Sequence, residues 1–225
     1  MTLKRNRALY VGLDEAGRGS CVGPLVVSLV AVDEENLDKL TKLGVKDSKK
    51  LTSRRRLELF PEILLSSTYV AVRTIQPREI DIYNINALTM KAMCSLVKPI
   101  TKRYAIKRVV ADCVNPARRL QRLIRGLLPP NVEVLVEEDA DDKYTECMAA
   151  SIIAKVVRDN ELHKLKNKHG IKGSGYSSDP ETLEWLKEVL SQGELPICVR
   201  RSWKTVRRLY PGVTLDRWFG QNQCV

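Results

Sequence analysis

Aromatic residues make up only 5% of this 225-residue chain, with two Phe and three Trp among them. A sheet or groove that stacks unpaired bases needs more exposed rings than that, which argues against an RNA-recognition sheet or a single-strand platform. Histidine is scarcer still, with His163 and His169 alone, and the six cysteines, at 21, 94, 113, 147, 198 and 224, form no CxxC pair. That inventory argues against structural zinc. Reduced thiols in a cytoplasmic setting are the expected state, with a disulfide admissible only in a hyperthermophile. No long hydrophobic run occurs. The longest, Pro24 to Val32, falls far short of the roughly 20 residues of a membrane-spanning helix. The basic cluster Lys4, Arg5 and Arg7 is not followed by the apolar core of a secretory signal. There is no internal repeat and no low-complexity linker.

The chain does have charge, and of one prevailing sign. Lys and Arg number 38 against 27 Asp and Glu, a net charge of +11, with 44% hydrophobic and 29% charged residues overall. This is the composition of a folded globular protein with a polyanionic partner. The length fits one large domain, or one domain with a small appendage.

Hydrophobic patterning predicts strands at Leu9 to Leu13, Leu25 to Val32, Tyr69 to Ile75, Arg108 to Ala111 and Val132 to Val136. It predicts helices at about Ser53 to Leu65, Asn86 to Val97, Pro116 to Leu127 and Tyr144 to Lys168. Strands first in a run, then alternating with helices, predict an α/β fold with a mixed sheet flanked by helices. From about Pro180 no strand signal remains, and the chain reads as a helix over Glu181 to Leu190 and a basic tail ending near Trp218. The domain reading is therefore an α/β domain over 1–179 and a helical, basic extension over 180–225.

Within this basic chain the acids at strand ends carry the most information. Asp14 and Glu15 follow the first strand, Asp112 the fourth, and Asp141 and Asp142 open the long helix. Carboxylates gathered at one point repel one another and raise each other's pKa. Divalent cations remove that cost, and oxygen-only ligands suit Mg²⁺ or Mn²⁺. Two such ions can activate water and stabilise the leaving oxygen of a phosphodiester. A lone acid at a strand end reads as a cap or surface residue, so the reading depends on the three places acting together. A basic surface accompanies them. Lys102, Arg103, Lys107, Arg108, Arg118, Arg119, Arg122 and Arg125 face only Asp112 as acid between residues 101 and 130, and Arg200, Arg201, Lys204, Arg207 and Arg208 surround Trp203. Both groups read as a phosphate-tracking surface, with a solvated helix face as the plainer alternative. Trp203 reads as an anchor for the tail, Arg158 and Asp159 as a pair orienting the long helix, and the two histidines as exposed. Gly17, Arg18 and Gly19 follow the first acid pair, where glycines let backbone approach a ligand and arginine offers a phosphate fork.

Several segments, in order, resemble the type 2 ribonucleases H (ribonuclease HII). They are Tyr10 to Gly19 with Gly23-Pro24-Leu25, then Gly44 to Leu51, Ala111-Asp112, Ala149 to Asp159, and Gly173 to Pro180. The resemblance runs from about residue 9 to about residue 210, and Val199 to Lys204 is most similar to the archaeal single-chain branch. It implies the ribonuclease H-like fold, a five-stranded mixed sheet with a C-terminal helical extension. It also implies a metal-dependent endonuclease that hydrolyses the RNA strand of RNA/DNA hybrids and cuts 5′ of ribonucleotides embedded in duplex DNA. The products would carry 3′-hydroxyl and 5′-phosphate ends, with roles in DNA replication and repair. By the same resemblance Asp14, Glu15, Asp112 and Asp141 are expected to be catalytic ligands of two Mg²⁺ or Mn²⁺ ions. Gly17, Arg18, Gly19, Tyr176 and Lys46 are expected to bind substrate, the first four by reading the ribose 2′-hydroxyl and its phosphate. No membrane partner is expected, the protein is expected to be monomeric, and contact with a sliding clamp is left open.

Two departures stand out. Ser20 occupies the place where the family has proline, and Asp139 stands where it has lysine. Counting back from Tyr144 favours Asp141 over its neighbour Asp142 as the fourth acid. Two other readings compete. A non-catalytic duplex binder would gain nothing from carboxylates set against phosphate, and a nuclease specific for DNA would not need the Gly-Arg-Gly loop with Tyr176.

Overall fold

In the computed structural model, residues 8–45, 51–112, 114–193 and 195–209 are described. The chain divides into two compact units. The first comprises Met1–Ala16, Val26–Thr74 and Ile85–Asp159, and the second Gly17–Leu25, Ile75–Asn84 and Asn160–Val225.

The first unit is built on a five-stranded sheet. Its strands are β1 (Leu9–Ala16), β2 (Leu25–Val32), β3 (Tyr69–Ile75), β4 (Ile106–Asp112) and β5 (Glu133–Glu137), in spatial order β3-β2-β1-β4-β5. β1 pairs antiparallel with β2 and parallel with β4, and β4 pairs parallel with β5. This is the expected mixed sheet. β2 is buried along all eight residues, consistent with its run of β-branched and apolar side chains, broken only by Ser28. Seven of the eight β1 positions are buried, in keeping with its central place in the sheet. The register brings Leu13 opposite Ala111, so Asp14 and Asp112 leave neighbouring parallel strands at the same end.

The helices of this unit are α1 (Glu34–Lys42), α2 (Ser53–Ser66), α4 (Ile85–Val97), α5 (Ala117–Arg125), α6 (Ala140–Lys143) and most of α7 (Thr145–His169). α1 was not legible from periodicity, because it is nine residues long and buries only Leu40. Its start is nonetheless chemically marked, since the Asp33 side chain accepts from the Asn36 N–H at 2.9 Å. α7 packs on the sheet through small residues. Ala149, Ala150, Ser151 and Ala154 are all buried, and the Ser28 hydroxyl donates to the Ala150 carbonyl at 2.6 Å. Tyr10, Val30, Leu59, Ile63, Met148 and Ile153 belong to the core packed beneath. Burying one such aliphatic side chain contributes about 1.5–3 kcal/mol.

The second unit contains α3 (Pro77–Ile82), α8 (Pro180–Ser191), α9 (Lys204–Leu209) and the final turns of α7. Its core joins Cys21, Val22, Ile171, Trp185, Leu186, Cys198, Val199 and Val206. Trp203 packs against this core, as an anchor should. α8 has an informative start, with Asp179 as N-cap and Pro180 in the first turn.

Three expectations need correction. β1 does not stop at Leu13 but continues through Asp14 and Glu15 to Ala16, because residues 14–16 still pair with β2. Asp141 and Asp142 do not open the long helix, since they sit on the separate short helix α6, which ends before Tyr144. His169 is only half exposed and has a buried Nε2, whereas His163 is exposed as expected.

Candidate active site

The carboxylates lie in the first unit. Asp14, near the end of β1, is 4% exposed, and Asp141, on α6, is 5% exposed. Burial raises the Asp14 carboxyl well above its ordinary pKa, and the charges of Glu15, Asp112 and Asp141 raise it further. The Ser151 hydroxyl opposes them by hydrogen bonding to Asp14. The same hydroxyl lies 3.4 Å from Asp141 Oδ2, so Ser151 stands between two of the acids. Asp112 has a second task. Its Oδ1 accepts the Ala140 N–H at 3.0 Å, which ties the first residue of α6 to the end of β4. Asp139, just before that helix, adopts a left-handed backbone at φ 55, a conformation that Asp tolerates better than most residues. α6 is thereby turned so that Asp141 is buried while Asp142 is exposed.

Other groups surround these acids. Lys155 Nζ is 3.9 Å from Asp141 Oδ2. Cys147 is fully buried, donates to the Leu13 carbonyl at 3.2 Å, and has its thiol pKa pushed well up by burial, with Asp14, Asp112 and Asp141 adding to the effect. Asp139, Asp141 and Asp142 can each bring one oxygen within 4.8 Å of the others. A cleft of about 360 Å³ opens beside them, lined by Val45, Asp141, Asp142, Lys143, Tyr144, Thr145 and Met148.

This donor set fits hard divalent cations. It offers only carboxylate oxygens, and a buried Asp14 surrounded by like charges carries an electrostatic cost that a dication would relieve. Asp14, Glu15, Asp112 and Asp141 could hold such ions, and the Asp139, Asp141 and Asp142 oxygens also lie close enough together to do so.

The expected substrate residues lie in the second unit, Lys46 excepted, which falls outside the described residues. Gly17 has φ 86, a left-handed backbone that favours glycine. Ser20 forms an isolated antiparallel bridge with Tyr176. The Tyr176 ring lies 3.9 Å from the point a Gly19 Cβ would occupy, so the structure brings the glycine loop and this tyrosine together. Asp179 holds the segment before Tyr176 by accepting from the Ser174 N–H and, at 2.7 Å, from the Ser174 hydroxyl. Those bonds hold its pKa down at about 2.

Two members of the expected basic surface belong elsewhere. Arg108 donates from Nε and Nη2 to Glu146 Oε1 at 2.9 and 2.6 Å, and its guanidinium lies over the Tyr10 and Tyr144 rings. Arg200 is fully buried and donates to backbone carbonyls. Charge counting along a sequence cannot distinguish a buried guanidinium from a solvated one. Arg118, Arg119, Arg122 and Arg125 do remain exposed on α5.

A five-stranded mixed sheet with acids at the ends of its neighbouring strands β1 and β4, Asp14 buried and Asp112 half-buried, is the architecture of a ribonuclease H-like enzyme, and comparison with known proteins agrees. The sequence profile described as Ribonuclease HII matches residues 11–206. The chain is 45% identical over 203 residues to the Ribonuclease HII of Aeropyrum pernix, covering 89% of this chain and 90% of that one. The fold superposes on the crystal structure of ribonuclease H2 from Pyrococcus horikoshii OT3 with a TM-score of 0.80 at 39% identity, covering 90% and 97% of the two chains. It also matches the RNase HII of Archaeoglobus fulgidus, solved as a PCNA complex, with a TM-score of 0.79, 40% identity, and coverage of 92% and 99%. The chain belongs to the ribonuclease HII family and is an endoribonuclease of the ribonuclease H type. Among the described residues no helix is long and apolar enough to cross a membrane.

Proposed function

We propose that this enzyme hydrolyses the RNA strand of RNA/DNA hybrids and cuts on the 5′ side of ribonucleotides embedded in duplex DNA. The observation that carries the reading is the buried Asp14, set among the charges of Glu15, Asp112 and Asp141, in a chain of net charge +11. Water adds to phosphorus and the bond to the 3′ oxygen breaks, which leaves a 3′-hydroxyl and a 5′-phosphate. Two Mg²⁺ or Mn²⁺ ions, when bound, would supply activation of the attacking water and stabilisation of the leaving oxygen. The chain's own residues do the rest. Ser151 orients Asp14 and Asp141, and Asp112 fixes α6 through the Ala140 N–H. Gly17, Arg18, Gly19 and Tyr176 read the ribose, whose 2′-hydroxyl can both donate and accept. Lys46 adds a phosphate contact, and the exposed arginines of α5 track the backbone.

The same reading includes a cytoplasmic enzyme acting as a monomer in replication and repair. The A. fulgidus relative was solved with PCNA. We extend a sliding-clamp partner to this chain, and co-elution of the two proteins in gel filtration tests it. The main test is cleavage of a DNA duplex containing one ribonucleotide, with Mg²⁺, with Mn²⁺ and with chelator. A single cut 5′ of the ribonucleotide that disappears with chelator is expected. Equal cutting of an all-DNA duplex, or cutting that survives chelation, would sink the reading.

A further inference from the structure

We propose that Arg200 and Ser20 are positioning residues that lock the Gly17–Gly19 loop and Tyr176 into one rigid surface for reading the sugar. The proposal rests on the assignment of ribose recognition to that loop and tyrosine, and concerns what sets their geometry.

Arg200 is the largest fully buried side chain among the described residues. Its Nη2 donates to the Gly17 carbonyl at 2.7 Å, its Nη1 to the Arg18 carbonyl at 2.9 Å, and its Nε to the Gly23 carbonyl at 3.0 Å. The Trp203 ring lies 4.9 Å from the guanidinium carbon, and the Trp203 indole N–H points to the Gly19 carbonyl at 3.4 Å. The Arg200 backbone N–H donates to the Cys21 carbonyl at 2.9 Å, so main chain and side chain both grip the segment from 17 to 23.

A buried guanidinium is costly unless its fork is satisfied, and the planar fork suits three carbonyls in a way that an ammonium cannot. What this achieves follows from peptide geometry. In a trans peptide the N–H points opposite to the preceding C=O. Drawing the Gly17 and Arg18 carbonyls toward Arg200 therefore turns the N–H groups of Arg18 and Gly19 away from it. Gly19 is exposed and Arg18 half-exposed, so both residues lie at the surface of the loop. Oriented backbone N–H groups of this kind suit a phosphate or a sugar oxygen.

Ser20 completes the clamp. Its hydroxyl lies 2.6 Å from the Val22 carbonyl and 2.8 Å from the Gly175 carbonyl, and donates its one proton to either. The Gly175 carbonyl also accepts the N–H groups of Cys21 and Val22, at 2.9 and 3.1 Å. Gly175 immediately precedes Tyr176, so these bonds join the two segments that read the sugar. A proline at position 20 would supply neither the hydroxyl nor the Ser20 N–H that donates to the Gly17 carbonyl at 3.3 Å.

The test compares wild type, Arg200→Lys, Ser20→Ala and Gly19→Ala on a duplex with one ribonucleotide, with melting followed in parallel. Rates are taken under single-turnover conditions, at saturating enzyme and at a temperature where each variant is folded. Arg200→Lys is expected to slow cleavage ~10-fold or more, with duplex affinity within about threefold of wild type, because misplacement of about 1 Å costs rate rather than docking. Ser20→Ala is expected to lose roughly three- to tenfold, and both variants to cut at positions flanking the ribonucleotide. A purely structural role would lower melting but leave rate and cut position unchanged below it, and that result overturns the proposal. Gly19→Ala separates the two layers, since it adds one methyl beside the Tyr176 ring, 3.9 Å away, without touching the Arg200 or Ser20 side chain. Wild-type cleavage by Gly19→Ala would overturn sugar reading by the loop and the proposal with it. Slow Gly19→Ala beside normal Arg200→Lys and Ser20→Ala would overturn the proposal alone. Should Arg200→Lys fail to fold, Ser20→Ala decides, because it removes only a hydroxyl.

Discussion

Gly12 on β1 lies so close to the Glu146 carbonyl that any side chain at position 12 would overlap it. Glu146 is in the first turn of α7, and the next residue, Cys147, donates its thiol to Leu13 at 3.2 Å. The start of the long helix is thus seated on the strand two residues before Asp14. We expect Gly12→Ala to shift this seat, at a cost of about 1–3 kcal/mol or more for overpacking. For a chain of this size each kcal/mol corresponds to roughly 2–4 °C in melting temperature. Cleavage should fall as well, because the displaced helix carries Ser151. A melting curve and a rate matching wild type would show that the contact is not needed.

Most of the sheet was legible because its strands are β-branched runs of the right length, and the acids because they end those runs in a basic chain. What escaped reading had physical reasons. α1 and α3 are short, at nine and six residues, and bury one and two residues respectively. Ser151 stood inside a recognisable helix segment, yet only the approach of α6 to that helix reveals its link to Asp14 and Asp141. Arg200 read as one more surface cation, since nothing local in Val199 to Trp203 indicates that the chain folds back to bring the Gly17, Arg18 and Gly23 carbonyls around it.

Asp14→Asn should separate chemistry from stability. Removing one carboxylate ligand should abolish turnover in Mg²⁺ while hybrid binding stays within a few-fold of wild type. Without divalent ions at neutral pH, the variant should melt higher than wild type. Burial and neighbouring charges raise the Asp14 pKa, so the folded state holds that proton more tightly than the unfolded chain does. The sign is therefore that the wild type loses stability as pH rises above the ordinary carboxylate value, and the advantage of Asn shrinks on acidification. A metal-free variant that melts lower than wild type at pH 7 would contradict this account.

Asp179 has the opposite sign. Its carboxyl is held at about 2, against an ordinary value of 3.8, chiefly by the Ser174 hydroxyl and N–H. A depressed acid contributes stability above its unfolded value and loses that contribution as pH falls toward its folded value. Asp179→Asn should therefore melt below wild type at pH 7, with the gap closing between pH values of about 4 and 2. Asn caps a helix about as well as Asp, so the substitution tests the charge rather than the α8 cap. It also loosens the segment leading to Tyr176, so cleavage of the single-ribonucleotide duplex should slow. A gap that stays constant down to pH 2 would mean that the carboxylate charge contributes nothing.

The exposed arginines of α5 give a test of the basic surface that does not depend on the chemistry. Arg118, Arg119, Arg122 and Arg125 are exposed, while Leu120 and Ile124 fix the opposite face of the helix in the core. Each phosphate neutralised releases counterions and adds about 0.9 to the slope of log affinity against log salt on a DNA duplex. If Arg119 and Arg122 each contact a phosphate, reversing both to Glu should reduce that slope by about 2 and weaken hybrid binding at physiological salt. The cut position should not change, because phosphate contacts position a duplex without reading its sequence. Titrating wild type and the double variant against a labelled hybrid across a salt series measures both quantities. An unchanged slope would mean that these arginines form a solvated face, and the polyanion contact would then have to be sought elsewhere on the chain.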